Sequence, residues 1–246
     1  MYEPRTYRQW IKDRDLVSFT AIIRETDLHI RAQSNLKPYA LKAIKKYRKP
    51  LEEYIESHPL FLHSLEPYDV EDNAPEIVKD MANAARAVGV GPMATVAGAI
   101  AEAVGKDLLA YSLEVIVENG GDIYMKSLKK RLIGIYAGSS SFTGKIALEI
   151  EPDDTPLGIC TSSGTVGHSL SLGVANAVIV LSPSTALADA AATAIGNHIK
   201  SAEDIEIEIE RASHMHGLSG LVIIKGDKIG LWGKVKLVSK STDLGN

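Results

Sequence analysis

Three segments concentrate residues able to handle an anionic ligand or a cation. The first is Glu118-Asn119-Gly120-Gly121-Asp122. Two consecutive glycines remove side-chain bulk and the restriction on φ, so this stretch suits an ordinary tight turn or close backbone approach to a ligand. The second runs from Cys160 through Thr161, Ser162, Ser163, Gly164 and Thr165 to His168. Its hydroxyls and backbone N–H groups suit a phosphate-like anion, without the Gly-x-x-x-x-Gly-Lys spacing of a P-loop. His168 is a candidate general acid or base, its ordinary pKa being near ~6.5, or else a structural loop residue. The third segment is Ala188-Asp189-Ala190-Ala191-Ala192-Thr193, within a stretch where six of the nine residues 186–194 are alanine. On a helix, residues four apart share a face, so Asp189 and Thr193 would present a carboxylate and a hydroxyl side by side. Such a pair suits Mg²⁺, with water or ligand phosphates completing the shell. The bland alternative is an Asp capping a neighbouring loop and a Thr bonded back to its own helix.

The elements that must position these segments follow from periodicity and punctuation. Residues 16–23 and 28–32 read as a β-hairpin. From Asn35, a candidate N-cap, apolar residues at helical spacing (Leu36, Ala40, Ile44, Tyr47, Leu51, Tyr54, Ile55) predict a long helix that Pro50 should kink or split. The basic residues Lys42, Lys45, Lys46, Arg48 and Lys49 lie on it and read as a solvated face. Helices are predicted over 76–88 and 94–110, punctuated by Gly89-Val90-Gly91-Pro92. Strands are predicted over 113–117, 131–137, 145–150 and 175–181, followed by a hairpin turning at Gly226-Asp227 and a strand over 234–238. Ile205, Ile207 and Ile209 alternate with Glu as in a strand, yet Ser201 as N-cap with Glu203 and Asp204 behind it favours a helix. Hairpins mixed with Ala-rich helices indicate an α+β layered fold.

Composition narrows the partners. The chain has 246 residues, 45% hydrophobic and 24% charged, which is ordinary for one globular domain and excludes wholesale disorder. A net charge of -4 removes the footprint of a whole-chain nucleic-acid binder, although residues 1–60 carry 12 basic against 8 acidic side chains. Cys160 is the only cysteine, so no intrachain disulfide forms and a reducing, cytoplasmic setting is expected. No run of 18 apolar residues predicts a membrane span. Flat apolar surfaces on the Ala-rich helices and hairpins suit a homodimer.

In this order the segments resemble the ApbE-like superfamily, the fold of the FAD:protein FMN transferases, and more closely an uncharacterised family of archaea and bacteria sharing that fold. The likeness runs from Pro75 to Val238 and rests on Val96-Ala97-Gly98, Gly120-Gly121-Asp122, Thr161-Ser162-Ser163-Gly164, His168 and Ala188 through Thr193. It implies two halves of sheet and helix with a cleft between them, the N-terminal hairpin and basic helix packed outside. It also implies that Asp189 and Thr193 ligate Mg²⁺, with a main-chain carbonyl near Val96. The segments 120–122 and 161–164 would line a site for FAD or FMN. The sequence departs from the transferase pattern at Ala97, where the family has lysine, and after His168, where Ser-Leu-Ser-Leu-Gly replaces a Pro/Gly element.

Three functions are compatible with these residues. The first is Mg²⁺-assisted binding of a flavin or related small-molecule nucleotide, with pyrophosphate or phosphoryl-transfer chemistry. The second, drawn from relatives linked with sulfur assimilation toward homocysteine, makes Cys160 a persulfide carrier whose thiol pKa is lowered by backbone dipoles. The third is a non-catalytic binding or scaffold protein that keeps the fold alone.

Overall fold

The computed structural model describes Arg8, residues 13–165 and residues 172–239. Its centre is one eight-stranded antiparallel sheet ordered β1-β2-β3-β4-β7-β8-β9-β10. The strands are β1 (Val17–Ile23), β2 (Thr26–Ala32), β3 (Val115–Asn119), β4 (Asp122–Lys126), β7 (Leu157–Ser162), β8 (Ala177–Ser182), β9 (Gly220–Lys225) and β10 (Lys228–Gly233). Between β4 and β7 the chain leaves the sheet to form β5 (Arg131–Gly134) and β6 (Ile146–Ile150), which join β11 (Leu237–Ser239) in a second sheet ordered β11-β6-β5. The helices are α1 (Lys37–Ser57), α2 (Pro59–His63), α3 (Glu76–Val88), α4 (Val96–Leu108), α5 (Thr185–His198) and α6 (Asp204–Ser213).

Strand alternation sorts the core into layers. On one face Leu28, Ile30, Val117 and Tyr124 pack with Ile44, Val78, Met81, Ile100 and Val104 of α1, α3 and α4. Further along that face Cys160, Val178, Val180 and Ile223 pack with Ala188, Ala191 and Ile195 of α5 and Ile205 of α6. On the opposite face Ile116, Ile123, Met125, Ile159 and Ile179 meet Ile133, Leu148 and Ile150 of the small sheet. The α+β class is as expected, and the two halves are two ends of one sheet, joined where Ile123 pairs with Ile159. Among the described residues no single helix is long and apolar enough to cross a membrane.

Several local expectations are corrected. The N-terminal hairpin lies at the outer edge as expected, and it is also part of the main sheet, because Ile30 pairs with Val117. Helix α1 runs unbroken through Pro50, its buried stripe of Ala40, Ala43, Ile44, Leu51 and Tyr54 holding it against the core. It is not capped by Asn35 in the usual way; that side chain accepts the Lys37 N–H at 3.1 Å, one residue ahead of the cap position at Leu36. The Ile/Glu alternation is helix α6, as expected. The work assigned to Ser201, however, falls to Asp204, whose carboxylate accepts the Lys200 and Ser201 N–H groups at 2.8 and 2.7 Å. Gly89 ends α3 in the left-handed conformation at φ 77°, as its position suggested.

Candidate functional site

Asn119 and Asp122 pair across a two-residue hairpin turn in which Gly120 and Gly121 adopt φ 69° and 111°. Positive φ at both central positions is what such a turn requires, so the glycines are explained by turn geometry. Alternation aims Asn119 and Asp122 at the helix layer. Asn119 Nδ2 donates to the Ala97 carbonyl of α4 at 3.1 Å, fixing the turn to that helix. The next main-chain group of α4, the Gly98 N–H, donates to Asp189 Oδ2 at 2.9 Å. A Cβ at Gly98 would stand 2.5 Å from the Thr185 carbonyl oxygen and 2.9 Å from Asp189 Cβ, so only glycine lets α4 approach α5 this closely.

Helix α5 begins where Ser184 caps it, its hydroxyl accepting the Leu187 N–H at 3.3 Å. The Thr185 N–H donates to Glu102 Oε2 at 2.7 Å, a second tie between α4 and α5. From this anchored start Asp189 falls beside Gly98, and Thr193 lies one turn further along the same face, half-buried. On β7 the Thr161 N–H donates to Asp122 Oδ1 at 3.1 Å. Thus β4, β7, α4 and α5 converge on two carboxylates.

Burial pushes the Asp122 carboxyl up to about 7, with the Glu118 charge adding to the rise and the Thr161 N–H opposing it. Asp189 is pushed well above the ordinary carboxylate range, first by burial and then by the charge of Asp122, against the pull of N–H groups at Gly98 and Ala97. Among the described residues neither carboxylate has a Lys or Arg as hydrogen-bond or ion-pair partner. Two close carboxylates without a counter-charge hold protons or a cation. Nor, among the described residues, is any group of three or more His, Cys, Asp or Glu side chains arranged to hold a metal. A cation here would therefore complete its shell with the Thr193 hydroxyl, main-chain carbonyls, water or ligand phosphates. The hard oxygen donors fit Mg²⁺ in chemical type.

The remaining expected residues separate. Thr161 contributes its N–H, while strand alternation puts its side chain on the small-sheet face with Ile159. Ser162 faces the helices, where a Cβ on Gly196 would meet its hydroxyl at 3.2 Å. Ser163 Oγ donates to the Asn176 carbonyl at 2.8 Å, and the Gly164 N–H donates to Ala175 at 3.0 Å, so both hold the chain locally. His168 lies outside the described residues. Cys160 is wholly buried between β7 and α5, its Sγ donating to the Thr185 carbonyl at 3.3 Å. Burial and the nearby Asp122 and Asp189 charges push its thiol well above the ordinary value, the reverse of the lowering expected from backbone dipoles. Desolvation by the helix layer outweighs any dipole here.

Sequence reasoning missed Asn119 as the link to α4 and Glu102 as the anchor of α5. A carboxamide before a Gly-Gly turn and a lone acid in an apolar helix carry no period or spacing that marks them. A cavity of about 430 Å³ elsewhere lies between the two sheets, lined by Leu157, Leu181, Glu149, Asp154 and Lys234 among others. It opens on the face opposite the carboxylate pair.

This arrangement belongs to the ApbE-like fold. The chain is similar to the flavinyl transferase ApbE of Pseudomonas stutzeri at TM-score 0.54 and 12% identity, covering 89% of this chain and 95% of that one. It is likewise similar to the ApbE protein of Thermotoga maritima at TM-score 0.55 and 13% identity, covering 87% and 96%. Residues 8–224 match the family described as AbpE bacteria, and the chain belongs to that family. Its relatives include a UPF0280 protein of Methanocaldococcus jannaschii, 43% identical over 94% of both chains. Another, from Methanosarcina acetivorans, is 41% identical over 89% of this chain and 87% of its own.

Proposed function

We propose that the protein binds a flavin or related nucleotide with the help of Mg²⁺ and performs pyrophosphate or phosphoryl-transfer chemistry on it. The observation that carries this reading is the pairing of buried Asp122 with half-buried Asp189, which has no basic partner among the described residues. The flavinyl-transferase fold supports the ligand class. When bound, Mg²⁺ would neutralise the pyrophosphate and stabilise the leaving phosphate. Asp122 and Asp189, with the Thr193 hydroxyl, would hold the ion. With Ala97 in place of a lysine, charge neutralisation at this edge of α4 falls to that ion rather than to a side chain. The Asn119 and Gly98 contacts keep the two carboxylates in place before the ligand arrives.

Calorimetry with FAD, FMN, ADP and ATP, each with and without Mg²⁺, tests the reading. Mg²⁺-dependent binding of at least one is expected, weakened in Asp189→Ala because one charged ligand oxygen is removed. A folded sample that binds none of the four refutes the proposal and leaves the scaffold reading. The sulfur alternative has no observation in its favour, because a persulfide carrier must be reached by its reactants and Cys160 is fully enclosed.

A further inference from the structure

We propose that Arg8 is a positioning residue of this site. It fixes the Glu118 carboxylate that clamps the Gly120-Gly121 turn, and through that turn it sets where Asp122 stands.

The turn is held from both faces of the sheet. On the helix face Asn119 ties it to the Ala97 carbonyl. On the opposite face Glu118 Oε1 accepts the Gly121 N–H at 2.9 Å. In a two-residue hairpin the central N–H groups point out of the ladder, so this side-chain acceptor supplies a restraint that strand pairing does not. Glu118 is 4% exposed, and a carboxylate that buried is held in one orientation when its second oxygen is hydrogen-bonded as well. Arg8 does this, its Nε donating to Glu118 Oε2 at 2.5 Å.

The guanidinium is itself locked. Its Nη1 reaches the Asp27 carboxylate at 3.2 Å and its Nη2 donates to the Asp27 carbonyl at 3.0 Å. Three directions of the planar fork are thus set by β2 and β3, a geometry that a lysine point charge reproduces only in part. Arg8 bridges the Asp27 and Glu118 carboxylates of adjacent strands, its side chain only 13% exposed between them. Residue 8 is far from the carboxylate pair in sequence, yet one hydrogen-bonded path runs from it through Glu118 to Gly121, the residue before Asp122. The inference concerns the geometry of Asp122, and only its ligand-binding arm rests on the proposed function.

Backbone hydrogen exchange on the full-length protein, resolved at single amides, tests it in wild type, Arg8→Ala and Arg8→Lys. Arg8→Ala is expected to speed exchange of the Gly121 amide by about tenfold, the loss of one hydrogen bond, while the amides of Tyr124 and Val117 keep their protection. Arg8→Lys restores part of the protection at Gly121. In parallel, if wild type binds FAD with Mg²⁺, Arg8→Ala weakens that binding without altering Mg²⁺-independent contacts. Unchanged protection of Gly121 in Arg8→Ala overturns the proposal. So does faster exchange spread evenly over β3 and β4, which would mark a merely structural role. If wild type binds none of the nucleotides, the proposed function fails while the exchange result still decides the role of Arg8.

Discussion

Replacing Asp122 by Asn removes the buried member of the carboxylate pair while keeping an oxygen to accept the Thr161 N–H. The folded-state pKa of Asp122 is raised from 3.8 to about 7. A raised acid contributes its full stability below the unfolded pKa and loses it as pH climbs through the folded value. The stability of the metal-free wild type should therefore fall, relative to Asp122→Asn, by about 1.4 kcal/mol per pH unit between roughly pH 4 and 7. Between pH 5 and 8 the difference between the two proteins should widen by on the order of 2 to 3 kcal/mol. Comparing the pair cancels the opposite contribution of His29, whose pKa is lowered chiefly by burial and which acts in the same window. The assay is urea unfolding of both proteins in chelator at pH 5, 6, 7 and 8. Adding Mg²⁺ at pH 8 should recover stability in wild type and little in the variant. Parallel stability curves would refute the placement of an ionisable, uncompensated Asp122 in the core.

Gly98→Ala inserts a methyl 2.5 Å from the Thr185 carbonyl oxygen, and should cost about 1 to 3 kcal/mol in denaturant unfolding as α4 and α5 are forced apart. A change within about 0.5 kcal/mol, the range of neutral surface substitutions, would disprove the tight crossing. Arg131 sits 4% exposed between Glu114, Asp13 and Asp15, at 2.8, 3.1 and 2.7 Å. Arg131→Ala strands the buried Glu114 and should destabilise by about 3 to 5 kcal/mol, measured by the shift in urea midpoint. Cys160 in the native protein should resist iodoacetamide for as long as the fold holds and react promptly in urea, as followed by mass spectrometry; rapid native alkylation would contradict its burial.

The parts of the fold that sequence made legible are those with a period or a punctuating residue. The β1–β2 hairpin, α3 with its Gly89 stop, α5 and the Gly226-Asp227 turn all carry one. Strands β4 and β7 carry neither. Both are covered on two faces, so Asp122-Ile-Tyr-Met-Lys126 and Leu157-Gly-Ile-Cys-Thr-Ser162 lack alternation of polar and apolar residues. Gly158 weakens β7 further as a sequence signal, although it is there because a Cβ would lie 2.5 Å from Thr185 Cα. Missing these strands also blurred the site. Sequence alone puts Asp122 in a turn and Thr161 at the start of a loop, whereas the first opens a central strand and the second sits inside one. Asp189 was recognisable because helical spacing and flanking alanines survive burial as a pattern.

The seam between β4 and β7 has a consequence for linkage. Asp122 belongs to the half built by β1–β4, and Asp189 to the half built by β7–β10, so the carboxylate pair exists only once the sheet is continuous. The tie from Gly98 to Asp189 spans 91 residues of chain and the tie from Thr161 to Asp122 spans 39. A ligand gripped by both carboxylates keeps only Asp189 and Thr193 of α5 in a chain whose halves have parted. By mass action the part of its binding energy that needs both halves is then added to their cohesion, growing with ligand concentration. Saturation of the site and closure of the sheet become linked equilibria.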